Sequence, residues 1–192
     1  MVCTTVQRNT NICKVVKTVQ GYKVIATKKP GKGGTNPSQY RSISFLNVTY
    51  KLLERMLLNR IQPYIEPILP LEQAGFRKNR GCCDQVLALT SYIEAGFQKH
   101  LKTAVAFVDL TAAFDTVWRH SLLLKLADII PCKQIINLIN NMLTNRRLQI
   151  FIGEKASRWR TLTNHLSQGS VLSPFLFNLY ISDIPATNAL KI

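Results

Sequence analysis

A single carboxylate at the end of an apolar run is the residue of this sequence best suited to chemistry. Residues 102–118 read KTAVAFVDLTAAFDTVW, so Asp109 follows the small and branched apolar residues Ala104 to Val108. These residue types favour a buried strand, which would hold the carboxylate on a rigid element. Hard divalent cations prefer carboxylate oxygens, so Asp109 is a candidate metal ligand. Taken alone, the same pattern also fits an aspartate that caps or turns the chain.

A second candidate is the polar stretch Gln168-Gly169-Ser170, which precedes a run of apolar residues. Glycine lets a backbone approach a ligand closely, although Gln-Gly-Ser by itself is typical of any loop. The partner class is indicated by charge, since 25 Lys and Arg against 10 Asp and Glu give a formal net charge of +15. Such a field favours polyanions, nucleic acid above all. A basic protein without a specific ligand is the alternative.

Other site classes find no support in the sequence. The five cysteines form no Cys-x-x-Cys pair and the three histidines stand far apart, so we expect no zinc site and no disulfide framework. Cys82 and Cys83 are expected to be small buried side chains at a helix start. No apolar stretch is long enough for a signal peptide or a membrane span, and we expect a location in the nucleus or cytoplasm.

The sequence patterns that would position these residues indicate both helices and a few scattered strands, which predicts an α+β fold with one core. We expect residues 1–21 to be poorly ordered, residues 22–27 to form a strand, and residues 146–163 to form a β-hairpin. Helices are predicted over 46–64, 84–99 (with Asp84 as its cap) and 132–145. The predicted apolar stripes of the three helices are Leu53, Met56, Leu57, Ile61 and Tyr64; Val86, Leu89, Ile93 and Phe97; and Ile135, Ile136, Ile139, Met142 and Leu143.

Several motifs together resemble the reverse transcriptase of non-LTR (LINE-like, Jockey-type) retrotransposons. Residues 109–115 (DLTAAFD) resemble the first palm motif of that family, and residues 168–174 (QGSVLSP) resemble the second. Upstream, residues 29–44, 51–55 (KLLER) and 73–84 resemble its fingers motifs in the family's order. The resemblance covers residues 22–190 and implies an incomplete right-hand polymerase fold, with helices packed on a small antiparallel sheet. It assigns residues 22–102 to the fingers and 103–192 to part of the palm.

The resemblance also implies the roles of individual residues. Asp109 would be catalytic and would bind two Mg²⁺ ions with help from the Leu110 carbonyl. Phe114 would lie beneath the deoxyribose, where its bulk excludes a 2′ hydroxyl. Further nucleotide contacts would come from Lys32, Arg41, Gln168 and Gly169, and template contacts from Arg77, Lys78 and Arg80.

Two departures from the family pattern bear on the second motif and on the fingers. Ser167 stands where family members usually have a proline, so we expect a less rigid loop before Gln168. Ser42 likewise replaces the proline of the fingers motif.

The expected function is RNA-directed DNA polymerisation, with an RNA template, a DNA primer and deoxynucleoside triphosphates as partners. No Tyr-Ala-Asp-Asp-like box is found, so we expect a truncated chain that does not polymerise alone and that could associate with the missing C-terminal palm and thumb. The alternatives are a non-catalytic basic RNA- or DNA-binding relic and a relic that folds poorly.

Overall fold

The computed structural model describes residues 21–31 and 33–184, which form an α+β fold as expected. Its strands are β1 Gly21–Lys28, β2 Tyr40–Phe45, β3 Arg146–Ile152, β4 Lys155–Ala156 and β5 Arg160–Leu162. Its helices are α1 Val48–Ile65, α2 Cys82–Gln98, α3 Arg119–Ile129, α4 Lys133–Leu143 and α5 Ser173–Tyr180. Short 3₁₀ turns lie at Pro37–Gln39 and Glu66–Ile68. The predicted disorder of residues 1–21 falls outside the described residues except for Gly21.

The sheet is mixed, which corrects the expected antiparallel sheet. Its strands lie in the order β2-β1-β3-β4, and β5 also pairs with β3. β1 pairs antiparallel with β2 but parallel with β3, with Tyr22 opposite Leu148 and Val24 opposite Ile150. A parallel pair needs a long connection, and the four helices between β2 and β3 provide it. The proposed fingers and palm boundary stays a prediction, but the sheet includes strands from both sides of it.

Helix α1 packs its inner side into the core, with a register that differs from the predicted one. Leu57 and Ile61 are buried as expected, whereas Met56 and Tyr64 are about half exposed. The buried positions Tyr50, Glu54, Leu57, Ile61 and Ile65 are spaced three or four residues apart and share one face. Apolar periodicity missed this register because the face includes a charged residue, Glu54.

Helix α4 and the hairpin of β3, β4 and β5 confirm their predictions. Four of the five predicted residues of the α4 stripe are buried and Ile136 packs against the core, which also includes Leu122 and Leu126 of α3. Helix α3 was not predicted. None of the helices formed by residues 21–31 and 33–184 is both long and apolar enough to cross a membrane.

Helix α2 lies outside the core, so its predicted apolar stripe is only partly covered. Leu89 and Ile93 are half-buried, but Val86 and Phe97 are exposed. Asp84 lies in the first turn, where its Oδ2 accepts a hydrogen bond from the Gly81 N–H at 2.8 Å, rather than at the cap position itself. Cys82 and Cys83 are exposed, contrary to expectation, because they lie on a helix that buries none of its residues.

Candidate active site

The loop of residues 165–171, here called the Gln-Gly loop, is hydrogen-bonded to several other parts of the fold. The Leu166 N–H donates to the Phe114 carbonyl at 2.8 Å, which joins the two predicted palm motifs. The Ser44 N–H of β2 donates to the Gln168 carbonyl at 2.8 Å. Between these contacts the side chain of Gln168 is exposed. The structure thus brings Phe114, Gln168 and Gly169 together beside the strand that carries Arg41.

A buried polar cluster secures the start of the Gln-Gly loop. Ser167 is 1% exposed, and its hydroxyl donates to the Tyr22 hydroxyl of β1 at 3.0 Å. The Tyr22 hydroxyl in turn lies 2.8 Å from His165 Nε2. Burial lowers the pKa of His165 to about 4, so its imidazole is neutral at pH 7 and Nε2 can accept this bond. A tertiary hydrogen bond thus holds Ser167 in the place of the usual proline, and the expected loss of rigidity stays a prediction.

Gly169 packs directly against β2. Its φ of +109° is one that side-chain-bearing residues rarely adopt, and a Cβ built on it would lie 2.8 Å from the Ser44 carbonyl oxygen. That distance is shorter than non-bonded carbon and oxygen atoms tolerate. Only glycine fits this position without a shift of the backbone.

Glu54 of α1 secures the other end of the loop, and sequence reasoning missed it. It is 2% exposed; Oε1 accepts from the Ser170 hydroxyl at 2.5 Å and Oε2 from the Val171 N–H at 2.8 Å. Burial raises its pKa, while the two hydrogen bonds and the nearby Arg146 act in the opposite direction. The signals in the sequence were that Glu54 is the lone acidic residue among the first sixty positions and that it belongs to the fingers-like segment 51–55 (KLLER).

The remaining predicted nucleotide contacts lie on two elements. Phe114 is half-buried and stacks on Phe177 of α5, with ring centroids 5.1 Å apart. Arg41 lies exposed on β2, three residues before Ser44. Lys32 lies outside the described residues.

Asp109 is placed differently from expectation. Residues 101–110 contain no strand, so the predicted strand at Ala104–Val108 is wrong. Apolar β-branched residues favour a strand only where a neighbouring strand can pair with it, and none of the described strands pairs with this segment. Phe107 and Val108 are 88% and 87% exposed, and Asp109 and Leu110 are exposed as well.

The described residues do not by themselves form a two-metal site. Asp109 and the Leu110 carbonyl offer hard oxygen ligands, which suit Mg²⁺. No group of three or more His, Cys, Asp or Glu side chains within residues 21–31 and 33–184 could hold a metal ion. All ten acidic residues of the chain fall within these ranges, so the rest of the sequence adds no carboxylate side chain.

The guanidinium of Arg77, one of the predicted template contacts, is engaged inside the protein. Its Nε donates to Glu66 Oε1 at 2.8 Å, and Nη1 donates to the carbonyls of Pro70 and Gln73 at 2.6 and 3.1 Å. The Arg77 side chain is 5% exposed in this ion pair. This geometry gives Arg77 the role of closing the turn after α1 and leaves little of it for a phosphate.

The other two predicted template contacts remain accessible. Lys78 and Arg80 are exposed, and Arg80 uses Nη1 to bond the Leu71 carbonyl at 2.8 Å. They stay predictions as nucleic-acid contacts.

A basic and aromatic surface covers the side of the sheet that faces away from the core. No acidic residue occurs in the five described strands. Lys23 lies over the Phe151 ring at 5.2 Å and Arg147 over the Trp159 ring at 5.8 Å. We call this surface the outer sheet face; it consists of Lys23, Ile25, Arg41, Ile43, Phe45, Arg147, Phe151 and Trp159.

Comparison with known proteins agrees with the resemblance carried by the palm-like and fingers-like motifs. Residues 27–192 match the family described as reverse transcriptase (RNA-dependent DNA polymerase). Over 86% of its length the chain is 33% identical to the probable RNA-directed DNA polymerase from transposon BS of Drosophila melanogaster. It is 30% identical, again over 86%, to the RNA-directed DNA polymerase from mobile element jockey of Drosophila funebris.

A third relative is the Pol polyprotein of the type-1 retrotransposable element R2 of Popillia japonica, 29% identical over 78% of the chain. The chain spans 18–21% of the length of these three relatives. The family match includes both palm-like motifs and all three fingers-like segments. The chain therefore belongs to the reverse transcriptase (RNA-dependent DNA polymerase) family, and its homologues include the polymerases of non-LTR retrotransposons.

Proposed function

We propose that this chain forms the fingers and part of the palm of a right-hand RNA-directed DNA polymerase from a non-LTR retrotransposon. Its substrates would be an RNA template, a DNA primer and deoxynucleoside triphosphates. The observation that carries the proposal is the Gln-Gly loop, which is bonded to Phe114 on one side and to β2, the strand of Arg41, on the other. This arrangement offers a guanidinium for phosphates, a ring for the sugar and an exposed amide, all on adjoining elements.

Charge and stacking support the nucleic-acid part of this proposal. The outer sheet face pairs cations with aromatic rings, and Phe45 and Trp159 are 60% and 44% exposed there. Nucleic acid satisfies both features, because phosphates neutralise the cations and bases stack on the rings. Arg41 belongs to this face and lies on β2, the edge strand whose Ser44 backbone is bonded to the loop, so the template surface and the nucleotide site would meet at this strand.

A ternary-complex experiment tests nucleotide selection without requiring catalysis. A dideoxy-terminated DNA primer is annealed to RNA, and binding to the chain is followed by fluorescence anisotropy. We expect the next complementary deoxynucleotide to tighten binding and a mismatched one to leave it unchanged. Arg41→Ala should weaken this response, whereas Arg60→Ala, an exposed arginine on α1, should not. Equal responses to both nucleotides would contradict the proposal.

The non-catalytic alternative predicts a different result. A basic binding relic would retain RNA in a salt-sensitive manner, indifferent to the added nucleotide, to Mg²⁺ and to Asp109→Asn. The exposed and isolated position of Asp109 is the observation that keeps this alternative open.

Primer extension by the 192-residue chain alone is expected to fail. A single carboxylate leaves two Mg²⁺ ions with most of their water and without fixed in-line geometry. Extension that is abolished by Asp109→Asn would contradict this expectation.

We further propose that a stretch of polypeptide that is not among these 192 residues covers the exposed apolar segment at 101–110 in the active polymerase. A pairing strand there would order Asp109 and bring further carboxylates to it. The test is to supply the C-terminal palm and thumb of a relative in trans and to measure RNA-directed primer extension.

A further inference from the structure

We propose that Glu54 is a positioning residue for the incoming nucleotide, acting through the Gln-Gly loop rather than by touching the substrate. This inference rests on the proposed function, since it assumes that the loop contacts a nucleotide. Glu54 belongs to α1, far from the loop in sequence, and it is the one acidic residue in the core among the described residues.

The carboxylate fixes two donors of the loop at once. Oε1 accepts from the Ser170 hydroxyl at 2.5 Å, and Oε2 accepts from the Val171 N–H at 2.8 Å. A hydroxyl has one proton, so donating it to Glu54 leaves the lone pairs of Ser170 Oγ for other groups. They receive the N–H groups of Leu172 and Ser173 at 3.2 and 3.1 Å, at the start of α5.

Glu54 therefore determines how Ser170 joins the loop to α5. On the other side, Gln168 is bonded through its carbonyl to Ser44 of β2. Gln168 and Gly169 lie exposed at this contact and directly before Ser170. With contacts on both sides, the exposed pair is restrained, and the nucleotide would meet a loop that is already ordered.

The surroundings of Glu54 favour a carboxylate over other side chains. A buried carboxylate is costly unless hydrogen bonds satisfy it, so an apolar side chain would be the cheaper way to fill the core. Arg146, 3% exposed, lies close enough to stabilise the negative charge. Glutamine has nearly the same shape but presents N–H groups where the loop also presents donors, so one contact is lost.

The test combines amide hydrogen exchange with the ternary-complex assay on the full chain. For Glu54→Gln we expect faster exchange at residues 168–173 in the protein without nucleic acid. We also expect the complementary deoxynucleotide concentration for half-maximal tightening to rise about tenfold, as for one lost charged hydrogen bond. Binding of template–primer without nucleotide should change less than about twofold, because the outer sheet face is untouched.

Two further variants make the result decisive. Ser170→Ala removes the same contact from the loop side and should give the same nucleotide shift, even if Glu54→Gln does not fold. Tyr50→Phe is the control, because it removes a buried hydrogen bond to the Met142 carbonyl from the same helix and leaves every hydrogen bond between Glu54 and the loop in place. It should lower the melting temperature and leave the nucleotide response unchanged.

The outcomes separate the two proposals. A wild-type chain without any response to complementary nucleotide would overturn the proposed function and the positioning role with it. A wild-type response that Glu54→Gln and Ser170→Ala both retain would overturn the positioning role alone. A Tyr50→Phe shift as large as theirs would show that stability alone governs the response, which also overturns it.

Discussion

Gly169 is the single residue whose type the structure restricts most strongly. Substitution by alanine adds the cost of an unfavourable φ of +109° to a contact of 2.8 Å with the Ser44 carbonyl oxygen. We expect Gly169→Ala to lower the free energy of unfolding by about 2–4 kcal/mol, measured by urea denaturation, as strain and overpacking are combined. The nucleotide response should fall as well, because the loop must move away from β2.

Gly153 offers a matched control for this prediction. It also has a positive φ, +59°, but a Cβ there would meet no atom within 4 Å. Gly153→Ala should therefore cost only the backbone preference, about 1 kcal/mol. Equal losses of unfolding free energy for the two variants would show that the backbone at Ser44 shifts at no cost. The close packing of Gly169 against β2 would then not contribute to stability.

His165 makes stability depend on pH. Its folded-state pKa of about 4 lies below the ordinary value of 6.5 because burial disfavours the charged ring. Between these two values the unfolded chain binds a proton that the folded chain does not, so unfolding free energy rises with pH across this window. Since the ring is partly exposed, we expect a contribution of about 1–2 kcal/mol.

Unfolding by urea at pH 4.5 and at pH 7 measures this effect. Glutamine can still bond the Tyr22 hydroxyl but does not titrate, so the difference between the two pH values should shrink in His165→Gln. An unchanged difference would contradict the assignment to His165, and Glu54 could not account for it, because a carboxyl whose pKa is raised by burial lowers the unfolding free energy as pH rises.

At the scale of elements, the sheet has two faces with different tasks. The inner face, with Tyr22, Val24 and Ser44, packs on the core and holds the Gln-Gly loop. The outer sheet face carries cations and exposed rings without a single acidic neighbour in its strands. In the proposed polymerase, one sheet would therefore hold the Gln-Gly loop from its inner face and present a nucleic-acid surface on its outer face.

Trp159 reports directly on the outer sheet face. The chain has two tryptophans, so a Trp118→Phe variant leaves Trp159 as the only one. We expect single-stranded RNA to quench its emission and high salt to restore it. Trp159→Ala should weaken RNA binding about tenfold, in line with the loss of one stacked base.

Duplex DNA is the control ligand, because its bases are already stacked and it should quench little. Unchanged Trp159 emission in the presence of RNA that binds the chain would place the RNA elsewhere.

At the scale of the whole molecule, the core and the segment at 101–110 behave as separate parts. Phe107 and Val108 are 88% and 87% exposed, so the fold of this chain does not depend on them. We expect Phe107→Ser combined with Val108→Thr to change the free energy of unfolding by less than about 0.5 kcal/mol. Binding of a dye specific for apolar surfaces and self-association should both decrease.

Leu57→Ala is the reference for this experiment. Leu57 is 3% exposed on α1, so its truncation should cost about 2–5 kcal/mol. A comparable loss from the double variant would mean that the segment at 101–110 is packed in the folded chain.

The sequence by itself determined the local elements and the family. Apolar periodicity located β1, α1, α4 and the hairpin because these features depend on neighbours two to four residues away. The motif residues of the two palm-like segments pointed to a reverse transcriptase, which the comparisons confirm. The excess of Lys and Arg over Asp and Glu also indicated a polyanion as partner.

Only the tertiary structure decided how these elements meet. Ser167 meets Tyr22 across 145 residues and Ser170 meets Glu54 across 116, and no local pattern encodes such pairs. The segment before Asp109 is the converse case. Its sequence is typical of a strand, but it stays irregular because it has no partner strand. Hydrogen bonding and burial depend on what lies opposite a residue, and that is fixed by the packing of the whole chain.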